Sequence, residues 1–589
     1  MEIPSSKNGV SVRAYKGDAM TLLAFDLDQS KTKNFTGFSV RITPGTKKAY
    51  YLYNLLTYPS AILTKNKIKP ADAHSTFYSP IQLFRWVHVP ATFHQPEGPF
   101  YGTYQYEITP RYMVNDILQP LDHSLTVAVK IDVSPYQSGD FRIGFTRGFV
   151  ESQAYTNHFG NNNKVRPNKT DLIFDIKSKS GSVKGADYTF EDQYVWLGWQ
   201  ARARILEFLD EVLANNSLTL DVLAFDLDEP GICDRLLQLA QQGRLRIVLD
   251  NSKTHVGKNA DGSVVFEDQF EQLFGQRAKA PSAIFRGRFQ SLAHSKVFIQ
   301  KTKATGDAVK VLTGSTNFST NGLYINANHV IIFSNKDVAK LYSQVFDASF
   351  GAAQMKGFHS TSFAQAEGFP FQQSNTPGMT IRFSPHLKEA ATKFFKTISD
   401  RIQDAQTDVL FAVMQDDSAS SILDAIKSVR ENKEDIFSYG ITDTTTTITL
   451  YKPHSKHGVL VAGKGGENVL PPPFNKESLI PGIAIHHKFV VVDFKGKAPV
   501  VYCGSSNLAF TPEQKNGDNL IEIRDRDAVT VFAIEAIRLV DHFAFRNRKQ
   551  TPGEEDLHTD EPTPWYASYY DPDDLHCLTR TLLIAAAKT

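Results

Sequence analysis

A stretch of this chain returns later with its chemistry in register. Leu220-Asp221-Val222-Leu223 is echoed by Thr407-Asp408-Val409-Leu410, each after a long amphipathic helical pattern. In the first copy that pattern is Leu206, Leu209, Val212 and Leu213. An apolar strand, Leu220–Phe225, follows it, then a helix marked by Ile232, Leu236, Leu237 and Leu239, and a strand at Leu245–Leu249. In the second copy Ile422, Leu423 and Ile426 mark the matching helix. Apolar residues at helical spacing alternating with short apolar runs predict helices packed on a sheet with a parallel component. The recurrence predicts a tandem pair of similar α/β halves.

Each half carries one polar constellation. The first is His294-Ser295-Lys296 followed by Gly314-Ser315-Thr316-Asn317, and the second is His486-His487-Lys488 followed by Gly504-Ser505-Ser506-Asn507. Counted from Val222 and Val409, the histidines fall 72 and 77 positions later and the glycines 92 and 95. An apolar strand follows each lysine, and residues i and i+2 of a strand share a face, so each His projects with its Lys. A cation beside an imidazole suits a phosphate: the ammonium holds non-bridging oxygens while the ring attacks phosphorus or moves a proton. The Gly-Ser-x-Asn segments supply a tight turn and neutral donors for the same oxygens. His454-Ser455-Lys456 is a third His-x-Lys, but no apolar strand follows directly and no Gly-Ser-x-Asn lies downstream within 40 residues, so it reads as a solvated loop.

These paired motifs resemble the phospholipase D superfamily, whose signature is His-x-Lys-x4-Asp followed by Gly-Ser-x-Asn, present twice. The resemblance covers roughly residues 170–550. It implies two α/β halves forming a pseudo-twofold catalytic unit around one site, so that a monomer suffices. It also implies a covalent phosphohistidine on one His, leaving-group protonation by the other, resolution by water or an alcohol, and neither metal nor organic cofactor. His294, Lys296, Asn317, His486, Lys488 and Asn507 are then catalytic, Ser315 and Ser505 bind the substrate phosphate, and Gly314 and Gly504 are structural. Asp493 completes the second motif, but Lys301 stands in its place in the first. Asp493 lies an odd seven residues from His486, which turns it away from the His/Lys face and predicts a scaffold role. In two-halved relatives a residue fourteen positions after the motif Gly backs the histidine of the other half. Here that implies Asp518 on His294 and Asn328 on His486. A carboxylate stabilises an imidazolium better than an amide does, which makes His294 the nucleophile and His486 the acid/base.

The rest of the chain frames this unit. The segments before about residue 145 are short, turn-separated and partly alternating, as in Leu125–Val127–Val129–Ile131, and predict an all-β sandwich of immunoglobulin or fibronectin-III type. The expected domains are a β-sandwich over 1–160, a linker over 161–190, the halves over 191–370 and 371–550, and a tail over 551–589 with a closing helix at Leu575, Leu578 and Leu582. The tail's Pro, Asp and Glu suggest an irregular surface segment. Three cysteines among 589 residues exclude a disulfide framework and fit a reducing compartment. The opening MEIPSSKNGV has no apolar core, and no run of 18 apolar residues occurs, so no signal peptide or membrane span is expected. Such a chain would be cytoplasmic or peripheral to a membrane.

A net charge of +1 and the absence of a basic run beside aromatics favour a phospholipid head group over a nucleic acid as substrate. A nucleic-acid phosphodiesterase is the alternative, and a catalytically degenerate binding protein a third reading. Arg286 and Arg288 could extend a cationic rim, and Tyr451–Pro473 could be a substrate-facing loop.

Overall fold

The computed structural model describes all residues except 91–93, 96–97, 149–154, 156–157, 161, 163, 415–420, 444–454, 463–484, 549–555, 560–562 and 589. His454 and most of 451–473 therefore lie outside the described residues.

The N-terminal region is β-rich. One sheet joins β1 (Glu2–Lys7), β2 (Val10–Lys16), β3 (Thr21–Leu27) and β5 (Arg85–His88); a second centres on β4 (Phe35–Pro44), β6 (Gly102–Val114) and β7 (Val127–Val133). Their apolar residues meet in one core that includes Val12, Phe25, Phe38, Val40, Tyr106 and Ile131. Along β7 the valines and Ile131 are buried while Ala128 and Lys130 are exposed, the period of a strand with one wet face.

Two eight-stranded sheets make up most of the remainder. The first contains β8 (Gln137–Ser138), β9 (Phe141–Phe145), β10 (Leu218–Ala224), β11 (Leu245–Asp250), β12 (Ala283–Gly287), β13 (Val297–Thr302), β14 (Ala308–Gly314) and β15 (His329–Phe333). The second contains β16 (Phe369–Gln373), β17 (Thr376–Phe383), β18 (Asp408–Val413), β19 (Phe437–Thr442), β20 (Val459–Ala462), β21 (Lys488–Val492), β22 (Val500–Gly504) and β23 (Asn519–Ile523). The spatial order is β8-β9-β15-β14-β13-β10-β11-β12 in the first and β16-β17-β23-β22-β21-β18-β19-β20 in the second. Adding eight to every label of the first sheet generates the second. Both are mixed sheets: β10-β11-β12 and β18-β19-β20 run parallel, and the other neighbours are antiparallel.

Helices cover these sheets because the central strands are apolar on both faces, the pattern of strands sealed from water. Phe298 turns to a core with α1 (Phe190–Ala214), α2 (Pro230–Gln241) and α3 (Phe266–Arg277). Its neighbours Val297 and Ile299 face a core shared with Val491, Val501 and Ile521 of the second sheet, with α4 (Lys336–Asp347) and with α9 (Arg526–Arg548). Between α4 and α9 come α5 (Ala352–Gly357), α6 (Lys388–Gln403), α7 (Ser421–Asn432) and α8 (Phe510–Lys515). Burying each such side chain stabilises the fold by roughly 1.5–3 kcal/mol. At α1 the Thr189 hydroxyl and the Asp192 carboxylate cap each other's backbone amides, which fixes the helix start.

Three segments sit where local composition does not point. β8 and β9 fall within 1–160 yet pair into the first sheet, Ile143 opposite Ile331. The stretch 161–190 holds a hairpin, Lys179–Val183 with Ala186–Thr189, and Leu172 and Tyr188 of that stretch enter the first sheet's core. The tail folds back on the N-terminal region: Trp565, Tyr566, Tyr569 and Tyr570 pack on its core, and α10 (Leu575–Ile584) accepts a 2.9 Å bond from Arg13 Nε at Ile584 O. No helix among the described residues is long and apolar enough to cross a membrane. Cys233 and Cys503 are buried and all three cysteines are free thiols.

Candidate active site

Both His-x-Lys motifs lead into the central strands β13 and β21, and both Gly-Ser-x-Asn turns leave the adjacent strands β14 and β22. Gly314 and Gly504 hold φ of +147° and +138°, and a Cβ there would stand 2.3 Å from His329 O and 2.5 Å from Asn519 O. Only glycine lets the turn press so close to the neighbouring strand.

The sheets are stitched together at these motifs. Gly517 N donates to Leu292 O at 2.9 Å, and His486 N donates to Ala327 O at 3.1 Å. Beside these bonds the imidazoles cross over. His294 Nδ1 lies 2.7 Å from Asp518 Oδ1, and His486 Nδ1 lies 2.9 Å from Asn328 Oδ1. The Asn328 amide is oriented by donating Nδ2 to Gly322 O at 2.8 Å, so its oxygen faces the ring. Both partners are acceptors, so each Nδ1 carries the proton and each Nε2 is left with a lone pair. The Lys296 ammonium donates to His294 O, and Lys488 Nζ donates to His486 O at 2.9 Å, the same contact in both motifs.

The electrostatics tie the two motifs into one site. Burial pushes the His294 pKa below its ordinary value, partly countered by the Asp518 carboxylate. Burial pushes His486 much further down, reinforced by Lys488, Lys296 and His294, with no carboxylate opposing. Lys296 is lowered to about 8 by burial, while Asp518, Asp226 and Asp250 pull the other way. Lys488 is held well below its usual range by burial and by Lys296. A buried cluster of imidazoles and ammonium groups that depress one another gains strongly from an anion placed among them.

The remaining motif residues divide by function. Asn317 Nδ2 donates to Asp226, and Asn507 Oδ1 is buried without a hydrogen-bond partner among the described residues. Ser315 and Ser505, expected on the phosphate, are fully buried and serve the scaffold instead. The Ser315 hydroxyl accepts from His329 N and donates to Asn328 Oδ1 at 2.8 Å; Ser505 Oγ accepts from Asn519 N at 3.0 Å. Asp493 points away from the site and accepts from Gln406 N, Thr407 N and Arg401 at 2.7, 2.8 and 2.9 Å. At the matching position Lys301 Nζ pairs with Asp221 Oδ2 at 3.2 Å, beside an Arg246 that holds the same carboxylate at 2.6 Å. Arg286 is tied to Asp268 at 3.0 Å and Glu271 at 3.2 Å.

Several residues of the site carry no motif. Asp250 Oδ2 accepts from Ala293 N at 2.6 Å and Asp443 Oδ1 from Ile485 N at 3.0 Å, so each carboxylate pins the backbone immediately before a motif histidine. His255 is clamped between Asp226 at 2.7 Å and Asp250 at 2.8 Å, and these carboxylates raise its pKa to about 10 against the cost of burial. Phe225 packs between the His255 and His294 rings, with Lys296 Nζ 4.9 Å from its centroid. The available signal was position: Asp226 and Asp250 lie at the carboxyl ends of parallel strands, where open α/β sheets place ligands. Asp226, His255 and Glu267 bring ligand atoms within 4.8 Å of one another. Both ring nitrogens of His255 are engaged by carboxylates, Nε2 by Asp226 and Nδ1 by Asp250.

Residues 209–350 match the family model described as cardiolipin synthase, PLD-like domain. That segment is thus similar to a phospholipase D-like domain. Solved structures similar to this chain include phosphatidylserine synthase from Haemophilus influenzae Rd KW20, at 13% identity over 59% of this chain and 85% of that one, with a TM-score of 0.41. Yeast tyrosyl-DNA phosphodiesterase is similar at 10% identity over 55% of this chain and 88% of its own, with a TM-score of 0.29. Polyphosphate kinase from Porphyromonas gingivalis is similar at 10% identity over 55% of this chain, with a TM-score of 0.35, and the match spans 46% of that kinase. No curated protein matches the chain by sequence.

Proposed function

We propose that the chain is a phosphodiester hydrolase or transferase working through a phosphohistidine on His294. The two eight-stranded units are read as tandem halves, related by a pseudo-twofold axis, that build one site within a monomer. The observation that carries the assignment is the asymmetry of the crossed bonds, a carboxylate on His294 and an amide on His486. His294 Nε2 attacks phosphorus as the bond to the leaving oxygen breaks, and the Asp518 carboxylate neutralises the imidazolium that forms. Lys296, Lys488, Asn317 and Asn507 hold the non-bridging oxygens. The bound phosphodiester anion offsets the two ammonium groups, so that His486 can hold a second proton and pass it to the leaving alcohol. His486 then takes a proton from water or an acceptor alcohol, whose oxygen attacks phosphorus, breaks the P–N bond and restores His294. Asp518 and Asn328 are positioning residues, and Gly314, Gly504 and Asp493 hold the frame.

The substrate we favour is a phospholipid, with peripheral contact to a membrane. The description of the matching family model as cardiolipin synthase supports it. The N-terminal β region, read as a sandwich of immunoglobulin or fibronectin-III type, would serve docking. The test is an activity panel in chelator, offering a phosphatidylcholine-type lipid, cardiolipin, single-stranded DNA and RNA. Turnover of a lipid is expected; turnover confined to the nucleic acids would replace the substrate, and none at all would replace the enzyme by a binding protein.

A further inference from the structure

Beyond the histidine pair lies a cavity of about 770 Å³, within the range of ligand pockets. It opens where the two sheet units meet. Arg286 and Arg288 at the end of β12 form one wall, Lys356 of α5 another, and Lys388 of α6 with Lys515 of α8 the third. Among the described residues no carboxylate lines it. In a chain whose net charge is +1, five cations around one carboxylate-free cavity are a local departure from balance. Arg286 is already paired, but Arg288, Lys356, Lys388 and Lys515 make no ion pair among the described residues.

Two further features face the same space. The sixteen-residue helix α6 begins at this wall, and its N-cap, Leu387, makes no side-chain cap bond, which leaves its first N–H groups to a ligand. His386, immediately before that cap, has a fully buried side chain and lines the cavity. Among the described residues its Nε2 has no hydrogen-bond partner, and it lies 3.6 Å from Glu513 Oε1.

We propose that this cavity is a second anion site, separate from the histidine pair, for a small ligand carrying two or more phosphate groups. Four unpaired cations match the charge of an oligophosphate, and their origin in four separate segments asks for a ligand long enough to bridge them. The site bears on the first one through the backbone. Ser291 N donates to Lys515 O at 2.9 Å, and from there the chain runs three residues to His294 on one side and three to Asp518 on the other. A ligand that clamps Arg288 to Lys515 therefore clamps the segments that carry the crossed His294–Asp518 bond.

The test uses binding rather than activity, so it stands apart from the proposed reaction. Tripolyphosphate is titrated into the full chain and followed by calorimetry and thermal melting. Wild type and Lys296→Met, which weakens phosphate at the histidine pair, are expected to bind it and melt several degrees higher. Arg288→Glu/Lys515→Glu is expected to lose at least tenfold in affinity along with the melting shift, and the independent pair Lys356→Glu/Lys388→Glu to do the same. A parallel arm offers phosphatidylcholine vesicles with 5% phosphatidylinositol bisphosphate; binding there alone, lost in the same variants, assigns the site to a lipid-borne polyphosphate head group. The proposal is overturned if neither probe distinguishes the charge-reversed variants from wild type. It is equally overturned if a single-stranded oligonucleotide depends on these residues while both phosphate probes do not bind.

Discussion

Asp518 and His294 belong to different sheets, yet a carboxylate oxygen of one stands 2.7 Å from Nδ1 of the other. The mirror contact, Asn328 on His486, is equally close at 2.9 Å but carries no charge. A chain that repeats its strand order thus differs between its two units at this atom pair, and in the proposed mechanism that difference selects His294 for the bond to phosphorus.

Exchanging the two partners should exchange properties. Asp518→Asn removes the counter-charge from His294 and should slow phosphoenzyme formation by roughly 10²-fold. Asn328→Asp gives His486 a carboxylate, so its depressed pKa should rise by about 1–3 units. With His486 as the proposed proton donor, the alkaline limb of the pH–rate profile should move upward with it. Stopped-flow rates across pH check both; an unmoved limb in Asn328→Asp would remove His486 from the proton-transfer role.

Lys301 is a substitution that has become part of its surroundings. It pairs with Asp221, which is 3% exposed, where the second unit has Asp493 accepting backbone amides. Restoring the acid with Lys301→Asp places two carboxylates together and should destabilise the fold by about 1–3 kcal/mol, despite matching the family motif. Lys301→Met, which only removes the pair, should cost less. Denaturant unfolding of the two variants distinguishes these outcomes; equal stability of Lys301→Asp and wild type would contradict the charge-swap reading.

The clamp on His255 has a pH signature of definite sign. Its pKa is raised from 6.5 to about 10 by Asp226 and Asp250, so the folded state holds this proton more tightly than the unfolded chain. The stabilisation is complete below about pH 6.5 and is lost as pH climbs to about 10. Thermal melts should therefore fall across that window in the wild type and fall less in His255→Gln. A parallel decline in both proteins would mean that His255 does not carry the effect.

The motif pairs were legible because strand parity and turn chemistry act over a few residues. The same parity placed Asp493 away from the site, where it accepts from Gln406 and Thr407. Asp250 and Asp443 were not legible, since their partners are backbone amides 43 and 42 positions away, and an amide leaves no mark on composition. Nor does an apolar strand such as Phe141–Phe145 announce its sheet; its partner, His329–Phe333, lies nearly 190 residues on. The tail looked like a surface segment because Pro, Asp and Glu recur through its first half, but Trp565, Tyr566, Tyr569 and Tyr570 pack against the N-terminal core. Ser315 and Ser505 show a subtler limit. A hydroxyl in a phosphate-binding motif and a hydroxyl that holds the next strand have the same letter, and only the packing of β15 and β23 decides between them.

The most direct measurement is rapid quenching with a slow phosphodiester substrate, followed by peptide mapping of the base-stable, acid-labile adduct. The account predicts the phosphoryl group on His294, its absence in His294→Ala, and its accumulation in His486→Ala when the leaving group needs no proton. An adduct on His486 that survives in His294→Ala would contradict it.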